Sequence, residues 1–113
     1  MDRPISESAW RDFRVLREGA LRLLCERALS EVRDALDASG RSEHERFLDV
    51  YEAVIDRNED IARAFDNPRR SWVAAHLAAM RDLGLLTPEL VEQSGPELRD
   101  LISRLKHLGP DRT

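Results

Sequence analysis

Apolar positions recur along this chain with the period of an α-helix almost from end to end. The clearest stretch is Ser42 to Phe65, where Phe47, Tyr51, Val54, Ile61 and Phe65 fall at steps of 4, 3, 7 and 4 residues. That spacing gathers them on one helical face, predicted to be the core face. Asn58 fills the one missing step, in the middle of the stripe. Glu45, Asp49, Glu52, Asp56, Glu59 and Asp60 form an acidic rail on the other side.

Upstream, the pattern predicts one long helix over 7–38, about 45 Å at the helical rise, with Ser6 as its cap and Glu7 in its first turn. Its apolar surface is too wide for a single neighbour. Ala9, Phe13, Leu16, Ala20, Leu23 and Leu24 share one sector, and Leu21, Cys25, Leu29, Val32 and Leu36 share the next. Trp10 and Ala28 lie between the two sectors. Either this helix is central in a bundle, or one sector packs internally and the other meets a second subunit. Gly19 sits mid-run at a cost of about 1 kcal/mol relative to alanine.

Capping chemistry marks the remaining boundaries. Gly40 suits the left-handed residue after the first helix. Ser42 and Glu45 fit a capping box, opening a helix over 43–65. Asn67-Pro68 reads as cap and first residue of a third helix over 68–83, with Trp72, Val73, His76, Leu77, Met80 and Leu83 on its apolar face. Thr87-Pro88 repeats the signal for a short helix over 88–93, and Ser94-Gly95-Pro96-Glu97 for a last one over 97–107. The fold class is therefore all-α. A helical bundle of three main helices and two short C-terminal helices forms a single domain over 1–113, with 1–5 and 109–113 expected to be flexible.

Composition agrees with this reading and narrows the function. The chain has 113 residues, enough for a core without disulfides or metal. Seventeen of its 18 basic residues are arginine, a bacterial-like composition of the kind an arginine-favouring genome produces. The net charge of −4 comes from residues 38–66, with 4 basic and 8 acidic groups; the flanking parts carry −1 and +1. A chain without a basic block is a poor candidate for non-specific nucleic-acid binding. Cys25 is the one cysteine, and no apolar run approaches the roughly 20 residues of a membrane span. The first residues lack the basic start and apolar run of a signal peptide, so a cytoplasmic location is expected.

Candidate chemistry is sparse. Asn58 and His76, both on predicted apolar faces, are candidates for a polar core network in which a buried amide and imidazole must find partners. His76 has no second histidine or cysteine at ligand spacing. Arg69 and Arg70 oppose the dipole of the third helix. They either meet an external anion or answer Asp66 and the acidic end of the preceding helix, Glu59 and Asp60. Glu89–Glu92 and Glu97–Asp100 have the ExxE and ExxD spacings with which all-α nucleotide pyrophosphohydrolases hold Mg²⁺. Here both pairs fall on short adjacent helices, whereas the rail faces away from the core, where a metal pocket would lie.

Ser71 to Thr87, SWVAAHLAAMRDLGLLT, resembles the recognition-helix region of small winged-helix repressors in its serine, its histidine-leucine pair and its closing Gly-Leu. The resemblance covers about 17 residues, and it implies a DNA-binding regulator reading the duplex with the helix over 68–83. A wing should follow, but Pro88 and a further helix are predicted instead, and alanines dominate the helix surface.

The expectation is a small non-enzymatic interaction or regulatory protein acting as a helical homodimer, with no cofactor or metal. Trp10, Leu21, Cys25, Leu29, Val32 and Leu36 are its candidate dimer surface. The rail, Glu45, Asp49, Glu52, Asp56, Glu59 and Asp60, is its candidate docking face for a protein partner. A DNA-binding regulator and a metal-dependent all-α hydrolase are the alternatives.

Overall fold

Ser6 accepts a hydrogen bond from the backbone N–H of Ala9 at 3.0 Å, and the chain runs from there as one helix, α1, Glu7–Asp37. The computed structural model describes residues 5–107, in which α1 is followed by α2 (Glu43–Phe65), α3 (Val73–Asp82), α4 (Pro88–Gln93) and α5 (Pro96–His107). No strand occurs among the described residues. The expectation of loose ends at 1–5 and 109–113 falls outside them, except for Ile5, which packs half-buried against the core.

The local boundaries follow the predicted caps. Ser42 and Glu45 close a reciprocal capping box at 2.9 and 3.1 Å, and Thr87 accepts from the N–H of Leu90 at 3.3 Å. Gly84, at φ +72°, ends α3, with the N–H of Leu85 donating to the carbonyl of Met80. Ser94 does something else: its hydroxyl donates to the carbonyl of Leu90, closing α4.

The third helix begins later than predicted. Asn67 takes a left-handed φ of +52° where a helix cap is extended, so the chain swings aside before Pro68. A 3-10 turn, Arg70–Trp72, then leads into α3. This offset leaves Trp72 half exposed, at 49%, instead of in the core.

The core is one cluster at one end of the molecule. Phe13, Leu16, Ala20 and Leu24 of α1 meet Phe65 of α2, Leu77 and Met80 of α3, Leu85, and Leu98 and Ile102 of α5. Helices α3, α4 and α5 thus cover only the N-terminal half of α1. Gly19 is explained by α4: a Cβ there would lie 2.7 Å from Cδ2 of Leu90. Beyond Leu24, α1 and α2 continue as a two-helix arm, in which Ala53 alone is buried. The molecule measures 53 × 31 × 24 Å. Its radius of gyration is 16.6 Å, against about 13 Å for a compact domain of this length.

Candidate functional site

Two arginines hold the arm in register. Arg17 donates to the carbonyl of Phe65 at 2.6 Å, at the body end, and Arg46 donates to the carbonyl of Leu36 at 2.8 Å, near the tip. Each step along α1 is therefore matched by a step back along α2. Leu29 therefore lies near the level of Val54, and Leu36 near that of Phe47, within about a helical turn.

The face that α2 turns to α1 is not the predicted stripe. It is Arg46, Val50, Ala53, Arg57, Asp60 and Ala64, all buried or half-buried. Phe47, Tyr51 and Val54 are 66, 60 and 50% exposed, with Leu48 and Ile55 beside them at 48 and 40%. Only at the body end do Ile61 and Phe65 enter the core region. The physical reason is size: Ala53 and Ala64 let the two backbones approach, which Phe47 and Tyr51 would prevent.

On α1 the candidate dimer surface divides. Trp10 stacks on Phe13 with ring centres 5.7 Å apart, and Leu21 packs against the core, so both belong to the chain's own interior margin. Cys25 and Val32 are half-buried. Leu29 and Leu36 are 56 and 51% exposed. These two are rotated forward from the α1 face that meets α2, at about 100° per residue. Phe47 and Val54 are rotated forward in the same sense on α2. In an antiparallel pair both rotations open onto one side, so the exposed side chains form a single apolar surface on the arm.

The acidic rail is partly spent within the chain. Glu45 completes the capping box, and Asp49 pairs with Arg41 at 2.7 Å, a hydrogen bond and charge that push the Arg41 guanidinium above its ordinary value. Asp60 pairs with Arg57 and Arg63, each at 3.4 Å. Among the described residues Glu52, Asp56 and Glu59 make no ion pair within 4.0 Å, and all three are exposed. Arg70 pairs with Glu7 on α1 and Arg69 stacks over Trp72 at 4.8 Å, so neither arginine answers Asp66.

Asn58 and His76 are not brought together. Asn58 is exposed on the arm's apolar stripe, a correction to its predicted place in a core network. His76 is buried, its Nδ1 2.9 Å from the carbonyl of Ala64, while Nε2 has no hydrogen-bond partner. It lies along an open groove of about 700 Å³ floored by Ala75, Ala78 and Ala79. A second open groove, about 480 Å³, runs between Arg81, Leu86, Val91 and Arg99.

Among the described residues no three His, Cys, Asp or Glu side chains gather as a metal site. Glu97 accepts from Ser6, and Asp100 pairs with Arg104 at 2.6 Å. Where a winged-helix protein would carry its β-hairpin, this chain has α4. No described helix is long and apolar enough to cross a membrane. No protein-family model, curated protein or solved structure matches this chain.

Sequence reasoning missed Leu48 and Ile55 as surface residues. The signal was present: with Phe47, Tyr51 and Val54 they span about 120° of α2 at the helical period. That arc excludes Ala53, so the helix has apolar residues in two directions, as α1 does.

Proposed function

We propose that this chain is a non-enzymatic interaction protein of the cytoplasm that acts as a helical homodimer, using the arm as its association surface. One observation carries the reading. Leu29, Leu36, Phe47, Leu48, Tyr51, Val54 and Ile55 are all at least 40% exposed on a part of the fold that projects from the core. Monomeric proteins rarely leave so many neighbouring large apolar side chains in water, and contiguous patches of this kind mark association surfaces. Glu52, Asp56 and Glu59 point elsewhere and remain free to meet a further protein partner. The lone cysteine fits a reducing compartment.

Sedimentation equilibrium at micromolar concentration tests the reading, with twice the chain mass as the expected result. A double variant, Tyr51→Glu with Val54→Glu, should sediment as a monomer of unchanged helix content, because both side chains are already exposed in the folded chain. A wild-type protein that stays monomeric throughout the micromolar range would overturn it.

A further inference from the structure

Phe47, Tyr51, Val54 and Asn58 lie at successive steps of 4, 3 and 4 residues and are all exposed. That is the alternation of the two inward positions of a coiled-coil heptad. Because α2 meets α1 through Val50, Ala53 and Arg57 instead, one helix carries two separate seams, and only one is occupied within the chain. We propose that a second copy of this chain fills the other seam, with the two arms pointing the same way and Asn58 hydrogen-bonded to its counterpart across the two-fold axis. This rests on the self-association reading and adds its geometry.

The occupant follows from area and from the amide. At ordinary side-chain areas, the exposed fractions of Leu29, Leu36, Phe47, Tyr51, Val54 and Ile55 correspond to roughly 600 Å² per chain, so a symmetric pair that covered all of it would bury about 1,200 Å², the lower end of the range for stable interfaces. Orientation is decided by Asn58. Arms running in opposite directions with their stripes fully overlapped would set its amide against the phenyl ring of Phe47 at the far end of the stripe, and only a shifted pairing that gives up most of the apolar contact would avoid this. A buried amide without a partner is disfavoured. Arms running the same way put Asn58 beside its own counterpart, where each amide offers both donor and acceptor. A single asparagine at an inward position sets register and strand number in coiled coils in this way.

Cysteine cross-linking in the full-length chain tests this. In a Cys25→Ser background that keeps Asn58, Phe47→Cys should form a disulfide-linked dimer under mild oxidation at micromolar concentration, at least tenfold faster than Glu52→Cys on the outward face. Circular dichroism confirms that each variant folds. A protein that sediments as a dimer but shows no such preference overturns the same-direction seam and leaves self-association standing. Faster cross-linking between Asn58→Cys and Phe47→Cys chains, when mixed, overturns it in favour of opposed arms. A monomer in sedimentation overturns both.

Discussion

Ser6 and Glu97 show how much one side-chain contact can organise. The Ser6 hydroxyl accepts from the N–H of Ala9, starting α1, and donates to Glu97 Oε1 at 2.5 Å, while the Ser6 N–H donates to Oε2 at 3.2 Å. The first turn of α5 is thereby fixed to the first turn of α1. These two hydrogen bonds hold the Glu97 carboxyl below its ordinary value, because they stabilise the charged form. A depressed folded-state value means the contribution is full above the unfolded value, near 4.3, and is lost as pH falls through the folded one. Glu97→Gln should therefore lower the melting temperature at pH 6, and the gap to wild type should close as the pH drops below about 4. Thermal melts of the two proteins across that range check it. A gap that persists unchanged at pH 3 would assign the contact to packing instead of charge.

Gly19 matters at the scale of helix against helix. In an isolated helix, alanine at this position would be better by about 1 kcal/mol. In the fold, the added methyl group would lie 2.7 Å from Cδ2 of Leu90, so the Leu90 side chain must turn away from α1. Gly19→Ala should therefore be neutral or destabilising in the wild-type chain, but stabilising by up to about 1 kcal/mol in a Leu90→Ala background. Urea denaturation of the four proteins of the cycle measures the coupling, and additivity would remove the steric explanation.

The same scale shows why some elements could be read from sequence and others could not. Caps such as Ser6, Ser42 with Glu45, and Thr87 depend on atoms within three residues, so the helix starts they mark were legible. Asn67 carried the same local signal, yet the turn toward α1, where Arg70 reaches Glu7, put it in a left-handed conformation instead. Periodicity told which α2 residues share a face, and the stripe it found is real. It could not tell which face a neighbour would cover. That was decided by the small Ala53 and Ala64, through the closeness of α1, and it moved Asn58 from core to surface.

At the scale of the whole molecule, the arm separates the two jobs of a hydrophobic surface. The cluster around Phe13, Phe65, Leu77 and Leu98 has the burial needed to hold the body together, whereas the arm's apolar face leaves about half of its side-chain surface in water in the folded chain alone. If a second copy covers that face, dimer formation and folding are linked, and stability depends on protein concentration. The melting temperature should rise by several degrees between low and high micromolar concentrations, and Tyr51→Glu with Val54→Glu should abolish the rise. The variant's own melting temperature should match that of wild type at high dilution, because the substitutions leave the body untouched. Differential scanning fluorimetry across a dilution series reads both quantities. A concentration-independent wild type that already matches the variant would mean the arm is solvated as it stands.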